Sequence, residues 1–276
     1  MFIKNIIIKY IINRLGENRL ISLIHDVFHN NGLIKHNCDY CTINSEKSII
    51  NIDEPYNYIN ELDNYFSSIG TNFDLAKDNL MKSAGPDILF FQSNKGQQIE
   101  ALLFSAISII KNDVYNILEI GTGSGANTYI LSCLFPNSTV YSYDLPETDI
   151  NYESLAWRKH DDEFYKRVNR KNIVFVEKNS FFTLSDSLPQ FDLIYVDGGH
   201  DYPVVAWDAM FSYNQTRSDG FIIFDDYNRG NSISDSGYND VNHLIEFLSK
   251  IIKEDVIYLP WAGYDNKARR CLIRKE

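Results

Sequence analysis

The chain is short of positive charge. Its 276 residues include 26 lysines and arginines against 37 acidic residues, a formal net charge of −11. A nucleic-acid binder needs a basic surface that neutralises phosphates, so this balance argues against nucleic acid as a partner. Long apolar runs are missing as well, because Lys4, Lys9 and Arg14 interrupt the Ile-rich start and leave it too charged to span a bilayer. No small-residue cleavage site follows that segment, and we interpret the protein as cytoplasmic.

Cysteine is also scarce, with four residues in the whole chain. Cys38 and Cys41 have the two-residue gap of a redox or zinc motif, but no second such pair and no paired histidine follows. We therefore interpret them as ordinary thiols, and nothing here requires an oxidising compartment. The sequence also shows no Ser/His/Asp or Cys/His arrangement, which agrees with chemistry that needs no covalent enzyme intermediate.

Residues 1–92 are predicted to form a helical N-terminal cap. Apolar side chains recur at helical spacing from Phe2 to Leu15 and from Tyr56 to Met81, with a break near Gly70. We expect the cap to cover the mouth of a site in the domain that follows. A peripheral membrane contact or a dimer interface are alternatives for its first helix, and a homodimer is the default expectation for the assembly.

The remainder, residues 93–276, is predicted to be an α/β domain. Apolar runs alternate there with helical patterns, which is typical of βαβ units and a parallel sheet. A helix is predicted from Lys95 to about Lys111, and residues 146–168 are interpreted as an inserted helix or lid. The predicted strands are 116–120, 139–144, 172–177, 191–197, 220–225, 255–259 and 269–274. The last two could form a hairpin, so the fold class is a Rossmann-like, seven-stranded, mostly parallel sheet.

A glycine-rich turn follows the first of these strands. Gly121, Gly123 and Gly125 stand between a buried strand and the start of a helix. Glycines allow a tight turn and let a ligand approach the main chain, while the helix start offers unpaired N–H groups to an electronegative group. The spacing Gly-x-Gly-x-Gly departs from the Gly-x-Gly-x-x-Gly pattern of dinucleotide-binding proteins, so a nicotinamide site fits poorly.

Two acidic residues flank this turn. Glu119 lies two residues before Gly121, where a carboxylate suits a cationic ligand, and Asp144 ends the next strand, 23 residues beyond Gly121. A carboxylate roughly 20 residues on typically accepts from a ribose hydroxyl. The pattern resembles the first motif of class I S-adenosylmethionine-dependent methyltransferases. The resemblance implies that S-adenosylmethionine lies over the glycines, with Glu119 near its ammonium and Asp144 on its ribose. From their position after the third strand, Asn179 and Ser180 are predicted to meet its adenine.

A second group of polar residues follows the fourth and fifth strands. Asp197 and His200 lie after the fourth strand, and Asp225 and Asp226 after the fifth. Ligands of open α/β sheets bind at the carboxyl ends of strands, so these side chains are expected to converge. Three carboxylates together are costly unless they are protonated or bind a cation, and oxygen ligands favour Mg²⁺, Mn²⁺ or Ca²⁺. The histidine has the pKa that best suits proton transfer near neutrality.

This second group resembles the Mg²⁺-dependent macrocin- and mycinamicin-type sugar O-methyltransferases. The resemblance implies that Asp197, Asp225 and Asp226 bind Mg²⁺ and that His200 is the catalytic base. One departure is that Asp225 stands where the family can have Glu. The implied acceptor is a hydroxyl of a sugar or glycosylated small molecule.

Other functions remain open from the sequence. The chain could be a metal-independent methyltransferase, another enzyme on the same scaffold such as an oxygenase, or a non-catalytic S-adenosylmethionine-binding protein. Trp157, Trp207 and Trp261 are candidates for stacking on a sugar, although aromatic residues more often pack in cores and on surfaces.

Overall fold

The computed structural model describes residues 55–85, 95–149, 160–181, 187–200, 202–227, 240–259 and 269–276, all within one compact unit that begins at Pro55. The predictions for residues 2–15, for the Cys38–Cys41 pair and for Trp157 and Trp261 lie outside these ranges. Cys133 and Cys271 are free thiols. The division into a cap over residues 1–92 and a domain over 93–276 stays a prediction.

Within the described ranges, helices flank a single sheet. The helices are α1 (Pro55–Ser68), α2 (Phe73–Ala84), α3 (Lys95–Ile110), α4 (Ala126–Leu134), α5 (Asp162–Val168), α6 (Val204–Gln215) and α7 (Asp240–Ile251). The strands are β1 (Asn116–Ile120), β2 (Thr139–Asp144), β3 (Ile173–Glu177), β4 (Phe191–Val196), β5 (Thr216–Tyr227), β6 (Val256–Leu259) and β7 (Arg269–Arg274).

The sheet has seven strands in the order β3-β2-β1-β4-β5-β7-β6. The first five strands of that order are parallel, and β7 pairs antiparallel with both β5 and β6. The predicted Rossmann-like, seven-stranded, mostly parallel sheet is therefore confirmed. Strand β5 begins at Thr216, earlier than the predicted residue 220, because Thr216 already pairs with Phe191 ahead of a register shift.

Alternation along the strands fills two cores, one on each face of the sheet. Ile117, Leu193 and Ile223 pack with helices α1 to α4. Leu118 and Ile194, one residue further along their strands, pack with α6 and α7 on the other face. Successive strand residues point to opposite faces, so strands buried on both sides need continuous apolar runs, as β4 has from Leu193 to Val196.

The carboxyl ends of the parallel strands meet at one edge of the sheet, where the predicted site residues lie. Helix α5 lies in the predicted insertion, of which the structure describes residues 146–149 and 160–168. It begins at an N-cap, where Asp161 Oδ1 accepts from the Phe164 N–H at 3.0 Å.

None of the described helices is long and apolar enough to cross a membrane.

Candidate active site

The glycine loop, residues 121–125, is fixed by its main chain. The Gly121 N–H donates to the Tyr143 carbonyl at 2.8 Å, and the Asp197 N–H donates to the Ile120 carbonyl at 2.8 Å. Gly121 has φ +94°, and a Cβ on it would lie 1.9 Å from the Asp197 carbonyl oxygen. No side chain fits there, so this glycine is what lets the ends of β1 and β4 touch.

The other two glycines face different surroundings. Gly125, φ +74°, would place a Cβ 3.0 Å from Val168 Cγ1 in α5. Arg167 in the same helix donates from Nη1 to the Ser124 carbonyl at 2.9 Å, so α5 packs directly on the loop. Gly123, φ +55°, would place a Cβ in open space, with nothing within 4 Å. Of the three positions, Gly123 therefore leaves room for a ligand against the main chain.

Asp144 ties the end of β2 to this loop. Its Oδ2 accepts from the Gly123 N–H and its Oδ1 from the Leu145 N–H, both at 2.8 Å. The side chain is buried. The sequence predicts that Asp144 lies near the three glycines, and in the structure it contacts Gly123. Its contact with a ribose stays a prediction.

Glu119 lies beneath the loop. It is 0% exposed, and its Oε2 accepts from the Thr128 hydroxyl and, at 2.5 Å, from the Ser142 hydroxyl. Burial raises the pKa of Glu119 to about 8, although both hydroxyls lower it. These contacts make Glu119 a support that joins β1, β2 and α4. Its predicted place beside a cofactor ammonium stays a prediction.

The predicted adenine residues follow β3. Asn179 Oδ1 accepts from the Phe181 N–H at 3.0 Å, so it shapes the turn, and Ser180 beside it is buried. Trp207 of α6 stacks on Phe181 with ring centroids 4.7 Å apart. The next residue, Asp208, is fully buried, and burial raises its pKa to about 7 while Ser180 lowers it. Trp207 therefore packs beside the predicted adenine residues.

Three of the four residues in the second predicted group converge. Asp197, His200 and Asp226, the acidic cluster, each offer a ligand atom within 4.8 Å of the others. His200 Nε2 lies 3.3 Å from Asp226 Oδ2 and 3.9 Å from Asp197 Oδ1. Burial and then repulsion from Asp225 raise the pKa of Asp197 well above its usual range. Asp226 has φ +58°, a left-handed conformation that is uncommon outside glycine.

Asp225 faces a different partner. Its Oδ1 lies 2.5 Å from Arg270 Nε, and its Oδ2 accepts from the Tyr195 hydroxyl at 3.2 Å. Burial raises the pKa of Asp225 to about 8, while Arg270 lowers it. The structure thus brings Asp225 next to the acidic cluster but pairs its carboxylate with a guanidinium. The prediction that Asp225 is a metal ligand stays a prediction.

Sequence reasoning did not single out Arg270, Glu100 or Tyr195. Arg270 and Glu100 form a buried ion pair, 4% and 1% exposed. Glu100 carried a usable signal, because it occupies the same helical face as Leu103 and Ile107, and a charge on an apolar face calls for a partner. Nothing local points from Glu100 to an arginine 170 residues away in the sequence.

Comparison with protein families gives the assignment of this region. Residues 118–227 match the family model described as a methyltransferase domain. This range is thus similar to methyltransferase domains, and it covers less than half of the 276 residues. The match begins in β1 and ends with β5, so it contains the glycine loop, Asp144 and the acidic cluster.

Known proteins resemble the chain at low identity. Uncharacterized protein R132 of Acanthamoeba polyphaga mimivirus is 24% identical over 136 residues, which are 46% of this chain. The match spans 58% of that relative's length. It leaves the activity of the whole protein to be inferred from the methyltransferase domain.

Solved structures share the fold of the methyltransferase domain. A Klebsiella pneumoniae protein assigned as an O-methyltransferase is 17% identical, with TM-score 0.51 over 80% of this chain and 98% of its own. The O-methyltransferase TomG of Streptomyces achromogenes, involved in tomaymycin synthesis and solved with S-adenosylmethionine, is 18% identical, with TM-score 0.50 over 81% of this chain and 99% of its own. At these identities the likeness shows the fold alone.

Proposed function

We propose that the protein is an S-adenosylmethionine-dependent O-methyltransferase acting on a small-molecule hydroxyl. The observation that carries this proposal is the glycine loop inside the methyltransferase domain. Gly123 leaves open space against the main chain, and Asp144 lies beside it at the end of β2. When bound, S-adenosylmethionine supplies a methyl group on a sulfonium, and transfer to an oxygen leaves S-adenosylhomocysteine.

The residues of the loop fit such a cofactor. Gly121, Gly123 and Gly125 give the main chain its shape, and Asp144 is placed to accept from ribose hydroxyls. Glu119 supports the loop, and a cofactor ammonium beside it would favour its ionised form. We keep Asn179 and Ser180 as the adenine contacts, since both follow β3 at the same sheet edge. Orienting the methyl donor and the hydroxyl in this way can contribute much of the rate.

The acidic cluster fits a divalent cation by its donor set. The Asp197 and Asp226 carboxylates offer oxygen ligands that Mg²⁺ or Mn²⁺ can use, and Asp225 adds a third carboxylate nearby. A divalent ion, when bound, makes an acceptor hydroxyl more acidic and fixes its direction. We propose Mg²⁺ as the ion, with Asp197 and Asp226 as the nearest ligands.

His200 is the proposed base. Its Nε2 faces Asp226 at 3.3 Å, and a neutral imidazole there can take the proton of the acceptor hydroxyl as the oxygen bonds to the methyl carbon. The same nitrogen cannot bind an ion and accept this proton together. A sugar hydroxyl is the proposed acceptor class, and it rests on the resemblance to macrocin-type enzymes.

A metal-independent methyltransferase is a second candidate, and the ion pair at Asp225 favours it. The Arg270 guanidinium already neutralises one of the three carboxylates, with Nε 2.5 Å from Asp225 Oδ1. Fewer free carboxylates reduce the need for an added cation. Under this alternative, methyl transfer proceeds with His200 alone as the base.

Calorimetric titration with S-adenosylhomocysteine, with and without Mg²⁺, tests the proposal. We expect micromolar binding by the protein and its loss in Asp144→Ala. The control is Asp113→Ala, which changes a carboxylate with a side chain 70% exposed, paired only loosely with Lys111 at 3.6 Å. Absence of binding under both conditions would remove the methyltransferase proposal. Binding that Mg²⁺ leaves unchanged, followed by turnover without Mg²⁺, would favour the metal-independent candidate.

A further inference from the structure

A buried network of charges underlies the acidic cluster. Arg270 of β7 is 4% exposed, and its guanidinium contacts the carboxylates of Glu100 in α3 and Asp225 in β5. Burying a charge is costly unless it is paired and hydrogen-bonded, so these groups depend on one another. The network uses residues from three separate elements.

The register of the sheet places Arg270 in this position. Phe224 pairs with Cys271 and Tyr227 with Arg269, so β5 advances three residues while β7 advances two. The extra residue on β5 falls at Asp225 and Asp226, directly opposite Arg270. An irregularity of this kind redirects side chains and is common beside functional sites.

Asp225 connects Arg270 to the acidic cluster through a hydrogen bond to the main chain of Asp226. Its Oδ1 accepts from the Asp226 N–H at 2.6 Å as well as facing Arg270. Asp226 adopts φ +58°, a conformation that persists in non-glycine residues only where the surroundings hold it. Fixing this main chain aims the Asp226 carboxylate at His200, 3.3 Å away.

Two further contacts extend the network. The Tyr195 hydroxyl lies 3.2 Å from Asp225 Oδ2 and 3.3 Å from Asp197 Oδ2, so it links Asp225 to Asp197 of the acidic cluster. On the other side, Asn127 Nδ2 donates to Glu100 Oε2 at 3.2 Å. Asn127 is the second residue of α4, the helix that follows the glycine loop. The network therefore runs from beside the glycine loop to the acidic cluster.

We propose that Arg270 is a positioning residue: it holds Asp225 in place and thereby sets the left-handed conformation of Asp226 and the geometry of the acidic cluster. Arg270 faces Asp225, and it acts on Asp226 and His200 through that carboxylate. The inference rests on the proposed function only for the ion that the cluster binds. The effect of Arg270 on Asp225 and Asp226 does not depend on that function, because it concerns hydrogen bonds within the chain.

The test compares substitutions of two arginines on the same strand. Arg270→Lys keeps a charge but loses the planar fork that can face two carboxylates. Arg270→Met combined with Glu100→Gln removes the ion pair with less uncompensated charge, and it serves if the first variant is too conservative. Arg274→Lys is the control, because that side chain is 56% exposed and pairs with Asp219 at the other end of β7.

Three measurements are made on each full-length variant. These are Mn²⁺ affinity by electron paramagnetic resonance, S-adenosylhomocysteine affinity by calorimetry, and hydrogen exchange of the Asp226 and Gly121 amides by NMR. We expect Arg270→Lys to weaken Mn²⁺ binding about tenfold, as changes behind metal ligands do. The Asp226 amide should exchange at least tenfold faster, while the Gly121 amide and the S-adenosylhomocysteine affinity stay within about threefold of the unsubstituted protein.

Two results would overturn the proposal. One is unchanged Mn²⁺ affinity and Asp226 exchange in both Arg270 variants. The other is an equal loss of Mn²⁺ and S-adenosylhomocysteine affinity with faster exchange at Gly121 as well, which would mean a general structural role. If the unsubstituted protein binds no Mn²⁺, the proposed ion is wrong, and the Asp226 exchange alone decides the positioning role.

Discussion

The glycine loop and the acidic cluster lie at the same sheet edge but are held in different ways. The loop is held through its main chain, by bonds such as that from the Gly123 N–H to the Asp144 carboxylate. The cluster depends on residues from distant segments, including Arg270, which faces Asp225 across a strand irregularity. The comparison teaches that a site built on the main chain can be recognised as a motif, whereas one built on side-chain networks needs the fold.

The two regions also differ in how they tolerate change. In the loop, the space around each Cα decides the cost, and it ranges from a main-chain clash at Gly121 to open space at Gly123. In the cluster, charge decides the cost, because Asp225 and Asp226 are buried beside one another. Substitutions in the glycine loop should therefore change mainly the stability of the fold, whereas substitutions in the acidic cluster should change mainly its chemistry.

The largest expected effect is that of Gly121→Ala. Its methyl group would lie 1.9 Å from the Asp197 carbonyl oxygen, so β1 and β4 must move apart. We expect a loss of roughly 3 kcal/mol or more in the free energy of unfolding, measured by urea denaturation.

Gly123→Ala is the matched control for Gly121→Ala. It has the same change of side chain at positive φ but open space around the methyl group. It should cost only about 1–2 kcal/mol in the free energy of unfolding, the ordinary penalty of the left-handed region. It should also weaken S-adenosylhomocysteine binding by more than this loss of stability accounts for. Equal destabilisation by both substitutions would contradict the contrast drawn between the two glycines.

The next effect concerns chemistry in the cluster. His200→Ala should lower turnover by about 10²–10⁴-fold, the usual contribution of a general base, while S-adenosylhomocysteine affinity changes little. The reason is that His200 faces Asp226 and Asp197, not the glycine loop. Steady-state kinetics with an acceptor that carries a free hydroxyl measure turnover, and calorimetry measures S-adenosylhomocysteine affinity. Equal loss of turnover and affinity would exclude the role of base.

The two regions also differ in how much of each could be predicted from the sequence. The strands and the loop follow from local patterns, since apolar runs and glycines determine their own conformation, and the predicted sheet is confirmed. The approach of Asp197, His200 and Asp226 could be expected from the rule that parallel strands end at one edge. The pairing of Asp225 with Arg270 could not, because it depends on the register of an antiparallel strand that no local pattern encodes.

A pH dependence of stability distinguishes the regions further. Burial raises the pKa of Glu119 from 4.5 to about 8. The folded protein then keeps a proton that the unfolded chain releases, so the free energy of unfolding should fall as pH rises from about 4.5 towards 8. Glu119→Gln removes this contribution, of the order of 5 kcal/mol at most. Urea denaturation at pH 5.5 and 8.5 should show a smaller difference in the variant than in the unsubstituted protein.

Asp208→Asn provides the comparison for Glu119→Gln. Burial raises the pKa of Asp208 in the same direction, from 3.8 to about 7, so this variant should flatten the same pH dependence over a lower range. An unchanged dependence in Glu119→Gln would mean that its carboxylate is not protonated in the folded state below pH 8. The glycine loop would then rest on a buried ionised group.

The smallest expected effect is that of Tyr195→Phe, which removes one hydroxyl between Asp197 and Asp225. Both bonds are long, at 3.3 and 3.2 Å, so we expect a loss of only about 1 kcal/mol in stability. Mn²⁺ affinity should fall about threefold, because Asp197 loses a donor that orients it. Tyr141→Phe is the control, since that ring packs edge-on against Phe191 of β4, at 5.6 Å between centroids. If Tyr195→Phe weakens S-adenosylhomocysteine binding more than Mn²⁺ binding, the glycine loop and the acidic cluster are coupled through β4, and they must be treated as one unit.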